Sequence, residues 1–449
     1  MAKLFDKSLI TIQDKNGKLN LFALMMPIFL QAIINNMLGT INTAALSNYD
    51  STILTAMNVS NRIIAPETTF ALLAAAGLSI VLAQALGRND KELIDNLMIN
   101  ALVSTVVIGA VLCGVALLLQ GPLLSMFSLT GETLENAKIY FSIRQIGNMF
   151  AIISSCFSGA LTARGKVTVV VIVGLVTSVL SVGSIFLFVN TPLGSFMPMI
   201  YNCAWLNVVV SFLALIAYAA FYFGFKYKIG RRINLKYIKR LFRIGVPSSI
   251  GSISYQMSML ISTMIISMLD VTLINVKIYC DSIFAFVQYL GYSIAQAGGV
   301  MGGRLIGAGD YGKVKQLYRQ NFIIVLLANG GLAVLAFIFR DQLYMIFDRN
   351  PAHLALVLPI FLIDIIVELG RGTNHVNSCM LNAAGDVVFS TVVSVISCWI
   401  CGVFLCYLFA IVLGWGLVGC WIAFAFDEWF RGVLCIIRWK TGKWQLKTV

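Results

Sequence analysis

Charge is what this sequence has least of. Asp, Glu, Lys and Arg make up 11% of its 449 residues, against 59% hydrophobic ones, whereas a soluble domain carries about 25% charge. That shortage excludes an ordinary water-soluble enzyme. Histidine is scarcer still, at two residues, too few for a histidine-rich metal site. The chain has no HExxH, no glycine loop to cradle phosphate and no Ser/His/Asp arrangement. Nothing in it therefore points to a catalytic centre, a metal or a bound cofactor. The ten cysteines fall within apolar stretches, where a free thiol packs as a small hydrophobe. Cys398 and Cys401 have CxxC spacing in WICGVFLC, but no second pair accompanies them and they read as packing residues.

What is present is apolar length. Runs of about 20 residues or more, enough to cross a bilayer, recur from end to end. Twelve spans are expected, near 20–46, 52–86, 92–119, 134–162, 166–190, 196–226, 236–267, 271–305, 314–340, 353–382, 387–411 and 415–440. Several exceed the minimum, which tilt or protrusion accommodates. The expected class is an all-α integral membrane protein. Its opening, MAKLFDKSLITIQDKNGKLN, is polar and basic without an apolar core, and reads as a cytoplasmic tail rather than a signal peptide.

Lysine and arginine set the orientation. Most of the 32 fall on one side: in the first tail, at Arg88, Lys91, Arg164 and Lys166, from Lys226 to Arg243, from Arg304 to Arg319, and from Arg438 onward. Lys138, Arg340 and Arg349 are the outer ones. This asymmetry predicts both termini in the cytoplasm and a chain inserted in the inner (plasma) membrane. It also accounts for the formal net charge of +13 without nucleic acid, because basic loops face anionic lipid.

The chain matches itself at an offset of 220 residues. Pro27 falls on Pro247, Gly87 on Gly307, Asp90 on Asp310, Leu123 on Leu343 and Phe127 on Phe347; Leu161, Ala163, Gly165 and Val167 fall on Leu381, Ala383, Gly385 and Val387. Each repeat holds six spans, an even number, so both halves enter from the same side and the pseudo-two-fold runs along the membrane normal. The expected division is a tail at 1–19, a six-helix lobe at 20–226, an inner loop at 227–235, a second lobe at 236–440 and a tail at 441–449. Two lobes with a cleft between them suit alternating access. Pro27 and Pro247 fall near the inner starts of their helices, where a first-turn proline is tolerated. Gly298, Gly299, Gly302 and Gly303 read as a close helix contact.

Between Leu358 and Leu381 an apolar span carries Asp364, Glu368, Arg371 and His375. Steps of four, three and four put them on one helix stripe. Ionisable residues at that depth are costly and so are functional candidates; a compensated ladder that pins helices is the other reading. Lys277 and Asp281 form an i,i+4 pair with Gln288 two turns on, and Asp427 and Arg431 form another with Glu428 beside them. Struts explain both pairs. The second half nevertheless holds more acids than pairing needs. A cation site is therefore expected at Asp364 and Glu368, helped by Asp281 and Asn374 and balanced by Arg371, Lys277, Asp427 and Arg431. Sodium suits these oxygens; a proton on a desolvated carboxyl is the rival. His375 is either a proton relay or a neutral histidine donating to a carbonyl.

The first half is sparser. Arg62 and Glu67 flank Pro66, whose kink could bring them together or apart, and Arg144 is the third ionisable residue. Asn35, Asn36, Asn42, Asn58, Asn61 and Gln288 could line a cavity, or bond one helix to another.

Several segments, spread over nearly the whole chain, resemble the multidrug and toxic compound extrusion (MATE) transporters. LAQALGRND and GGRLIGAGD look like that family's paired loops after the second and eighth helices, and FRIGVPSSI like the start of its seventh. ExGRxxN at Glu368 to Asn374, LNAAGD, GLVGCWIAFAFDEWFRG and RWKTGKW resemble one bacterial branch. The resemblance implies two six-helix bundles around a central cavity. It implies a monomer that exports organic cations or amphipathic drugs in exchange for sodium or protons, with small-molecule substrate and bilayer as its partners. Many relatives have an acid in the first and fifth helices, where this chain has Asn42 and Ser181, which weakens a proton relay there. The alternative within the wider superfamily is a flippase for lipid-linked sugars. That would need a strongly basic cavity, whereas Arg62, Arg144, Lys277, Arg371 and Arg431 mostly have acids nearby. A channel or receptor fits the internal repeat poorly.

Overall fold

A computed structural model of the chain describes residues 11–14, 17–49, 51–125, 127, 131–191, 197–270 and 272–447; side chains at 12–18, 39–49, 51, 272, 446 and 447 lie outside the description. A short antiparallel hairpin of β1 (Thr11–Asp14) and β2 (Gly17–Asn20) comes first, within the stretch expected to be a plain tail. The Asn20 carboxamide oxygen then accepts from Ala23 N at 3.1 Å and starts the first helix.

The remainder is helical, as apolar surroundings require of a backbone that must satisfy its own polar groups. The first half holds α1 (Leu21–Tyr49), α2 (Ser51–Ala71), α3 (Leu73–Arg88), α4 (Lys91–Leu118), the short α5 (Gln120–Ser125), α6 (Gly131–Ala163), α7 (Val167–Asn190) and α8 (Met199–Gly224). The second holds α9 (Leu235–Leu269), α10 (Thr272–Gly307), α11 (Tyr311–Ile338), the short α12 (Arg340–Tyr344), α13 (Pro351–Ala383), α14 (Val387–Ser397) and α15 (Gly416–Lys440). Among the described residues, 11 segments are long and apolar enough to cross a membrane, α2 and α3 counting as one. The twelfth span is α15, whose 25 residues include the buried Asp427, Glu428 and Arg431 that lower its hydropathy. The chain thus has twelve membrane helices in two sets of six.

The repeat is visible in the backbone. Asp90 and Asp310 each accept from the amide three residues on, at 3.1 Å, and cap α4 and α11. Asn89 (φ 58°) and Gly309 (φ 75°) are both left-handed, as are Gly165 (φ 78°) and Gly385 (φ 86°). Side chains other than glycine rarely adopt that region, so Asn89 is the notable member of the set.

By contacts the chain divides into two compact units: Met1–Phe29 with Ala83–Asn89 and Ile250–Val449, and Leu30–Leu82 with Asp90–Ser249. The first unit packs Phe284, Phe361, Tyr344 and Trp421 into its core, and the second packs Tyr140, Ile185, Met199 and Cys203. Within the first, a Cβ on Gly302 would meet Met380 at 2.9 Å and one on Gly299 would meet Cys379 O at 3.3 Å, so this glycine run is where α10 and α13 touch.

Pro27 and Pro247 are placed differently from expectation. Because α1 begins at Leu21 and α9 at Leu235, both prolines lie inside their helices, past the first turn. There each removes one backbone hydrogen bond and favours a bend. After Ser397 the eleventh span continues in wider π-type turns at Cys398–Leu405 and Leu408–Val412. The Ser258 and Ser262 hydroxyls on α9 donate to the carbonyls of Cys398 (3.0 Å) and Gly402 (2.8 Å) there. At the end of the chain, Trp444 stacks on Trp439 with centroids 4.2 Å apart and planes 3° off parallel.

Candidate functional site

The first unit contains a chain of alternating charges. On α13 the Arg371 guanidinium pairs with Glu368 one turn earlier and reaches across to Glu428 on α15, Nε to Oε1 3.3 Å. Arg431, one turn on from Glu428, lies 3.2 Å from its Oε1 and pairs closely with Asp427. Three carboxylates thus face two guanidiniums and leave one net negative charge. The remaining lone pairs are held by neutral donors. Asn329 on α11 donates to Glu368 Oε2 at 3.2 Å, Asn374 to Glu428 Oε2 at 2.9 Å, and Ser397 to Asp427 Oδ1 at 2.6 Å. Glu368 is fully buried, and Glu428, Asp427 and Arg431 are each at most 6% exposed. A buried ion chain of this kind survives because every member is bonded.

Asp364 stands apart. It lies one turn before Glu368 on α13 and is 5% exposed. Its Oδ1 accepts from the Trp421 indole at 2.9 Å. Its Oδ2 is buried and has no hydrogen-bond partner. No ion pair is made by Asp364 among the described residues.

The other expected site residues separate from this cluster. Lys277 and Asp281 form their own pair at 2.5 Å, with the Asp281 side chain 53% exposed. Asp281 makes no hydrogen bond to Asp364 or Glu368 among the described residues. The His375 Nε2 is buried without a partner, and its ring lies edge-on to Tyr292 at 5.3 Å; the carbonyl acceptor expected for a neutral histidine is not found at that nitrogen. Gln288 is half-buried, and Asn35, Asn36, Asn58 and Asn61 are exposed. Asn35 accepts from Ser178 at 2.9 Å. The side chain of Asn42 lies outside the described residues. Arg62 is exposed, while Glu67 is held by three neutral donors, so the bend near Pro66 does not pair them. All ten cysteines are free, and Cys398 and Cys401 are buried in the wide-turned segment.

Glu428, named in the sequence beside the Asp427–Arg431 pair, is also tied to Arg371, a link the sequence reading did not make. Two partners escaped that reading. Asn329 had a weak signal, an amide in the apolar half of its helix. Trp421 had none, because only tertiary packing distinguishes it from the other tryptophans.

A family model, MatE, matches residues 27–187 and 247–408, one copy in each half. The chain is 27% identical over 458 aligned positions to an uncharacterized transporter, YisQ, of Bacillus subtilis, covering 99% of each chain. It is 22% identical to a probable multidrug resistance protein NorM of Thermotoga maritima, over 96% of this chain and 93% of the relative. Among solved structures, the outward-facing conformation of a multidrug resistance MATE family transporter of the MOP superfamily is similar at TM-score 0.84 and 16% identity, with 96% of each chain covered. At that identity the likeness speaks to the fold.

Proposed function

The chain belongs to the MatE family of multi-pass membrane transporters, and from that premise we propose that it is an antiporter exporting organic cations or other amphipathic compounds in exchange for a small cation. The carrying observation is Asp364, a buried carboxylate with one neutral partner and one free oxygen. An acid already locked to an arginine can release its partner only at the full cost of an unpaired buried charge. Asp364 has no such partner to lose. It can take up sodium or a proton and give it back, while the neighbouring Glu368–Arg371–Glu428–Arg431–Asp427 chain supplies a negative bias that favours cation entry.

Coupling follows if the cation and the exported compound prefer opposite conformations, since a ligand shifts an equilibrium only by its differential affinity. Glu368 and Asn374 tune the charge at Asp364, and Arg371 and Arg431 keep the emptied site tolerable. Asp281 and Lys277 act as a strut. The multidrug name of the Thermotoga maritima relative supports the substrate class. The flippase alternative is disfavoured because three of the five intramembrane cations, Lys277, Arg371 and Arg431, are each neutralised by an acid, which leaves Arg62 and Arg144 as the ones without an ion pair among the described residues. The basic loops support cytoplasmic termini and insertion in the plasma membrane, with the transporter working as a monomer and without a cofactor.

Efflux of a fluorescent cationic dye from reconstituted vesicles tests this, with a sodium gradient and a pH gradient imposed separately. Wild-type protein should respond to one of them and D364N to neither. Equal gradient-driven efflux by D364N would refute the assignment.

A further inference from the structure

The second unit holds a half-buried acid that the coupling scheme does not use. Glu67 lies on α2, directly after Pro66. Its Oε1 accepts from Cys113 Sγ on α4 (3.1 Å) and from Asn148 Nδ2 on α6 (3.1 Å), and its Oε2 from Gln145 Nε2 on α6 (2.8 Å). All three donors are neutral. Arg62, on the same helix, is exposed. Arg144, beside Gln145 in sequence, makes no ion pair with Glu67 among the described residues; its Nε and Nη1 are buried without partners. The carboxylate therefore has hydrogen bonds and no counter-charge.

A second observation gives this arrangement a direction. Gln145 is 2% exposed, and its Oε1 is buried without a partner. Asn148 is different, since its Oδ1 accepts from the Thr68 hydroxyl at 2.8 Å and is thereby oriented. A primary amide carries a donor at one end and an acceptor at the other, and the two ends have nearly the same shape. Rotating the Gln145 amide by half a turn would break no bond at its oxygen, because none is made there. The turn would present an acceptor to Glu67.

We infer that Glu67 is a proton-exchange site in the first half of the chain, with Gln145 as a reversible partner that donates to the carboxylate and accepts from the carboxylic acid. The chemistry balances simply. One proton binds Oε2; the new O–H donates to Gln145 Oε1; Cys113 and Asn148 continue to donate to Oε1. Loss of the proton returns the amide to the orientation seen here. Both protonation states are fully bonded on the Oε2 side, so neither leaves that oxygen unsatisfied. The other charged or titratable side chains nearest to it by contact or in sequence are Cys113, Arg144 and Arg62. The inference rests on the exporter reading only for its consequence in transport; proton binding can be read without transport.

The test is difference infrared spectroscopy on purified full-length protein in detergent, recorded across a downward pH step. Wild type should gain a protonated-carboxyl band. E67Q should lose that band, D364N should keep it, and Q145M should shift it toward the frequency of an unbonded acid. In vesicles, protons moved per dye exported should fall in E67Q relative to wild type. A band that survives in E67Q overturns the inference. If E67Q does not fold, Q145M decides: a shifted band supports the site and an unmoved one overturns it. Failure of D364N to affect efflux would sink the coupling scheme and leave the Glu67 result standing.

Discussion

The indole of Trp421 on α15 donates to Asp364 on α13 at 2.9 Å, and among the described residues this is the one hydrogen bond to that carboxylate. A tryptophan donor can stabilise a negative oxygen without cancelling its charge, so the acid is held in place and remains able to bind a cation.

Replacing Asp364 by asparagine removes the exchangeable charge and keeps the indole acceptor. Gradient-driven efflux should fall by about tenfold or more, the scale of a typical coupling energy. W421F should fall less, by about fivefold, since one hydrogen bond is worth roughly 1 kcal/mol. Initial efflux rates in vesicles, at matched protein content, check both.

Arg371 joins Glu368 to Glu428. Substituting methionine leaves two buried carboxylates short of a partner, which costs about 3–5 kcal/mol. R371M should therefore unfold at a clearly lower temperature in detergent. Adding E368Q should recover part of the loss, and a thermal melt of the two variants side by side reads it. A double variant no more stable than R371M would show that the pair does not carry the cost.

Ser397 donates to Asp427 Oδ1 at 2.6 Å and anchors the start of the wide-turned segment to α15. S397A should lose about 1–3 kcal/mol, as for a buried acceptor deprived of its donor. Urea-induced unfolding, followed by tryptophan fluorescence, measures it.

Asp310 caps α11 and lies in a loop outside the membrane spans. The hydrogen bond from the Lys313 side chain, followed by that from the Lys313 amide, lowers its carboxyl below the usual 3.8. A group depressed on folding stabilises above its unfolded value and loses that contribution as pH falls through the folded one. The cap should thus be at full strength at neutral pH and fade below about pH 4. D310A should cost about 1 kcal/mol, and its melting point should converge on wild type under acid.

Much of the fold was legible because a bilayer imposes one length and one hydropathy. The stripe on α13 stood out for the same reason: four ionisable residues contrast sharply with the apolar sequence around them. The repeat went further. At the offset of 220, Arg144 falls on Asp364, Asn148 on Glu368 and Asn207 on Asp427, so positions that carry acids in the second half carry one base and two amides in the first. What the sequence could not show was which acids would be locked, because pairing across helices depends on rotation about each axis. Asp281 looked like a site residue and is half-exposed beside Lys277; Glu67 looked ambiguous and has three donors from two other helices. The two prolines were compared with a first turn although the expected starts, near 20 and 236, already put them beyond it, as α1 and α9 do. The hairpin was missed because its two strands are only four residues each, too short to show a pattern.

The last turn of the chain is stapled down. Trp444 is 1% exposed, bonded through its indole to Trp439 O at 3.0 Å and flanked by Tyr311. Cutting the chain before Trp444 would strip cover from two aromatic faces and shorten the transporter's shelf life in detergent well before it touched the transport path.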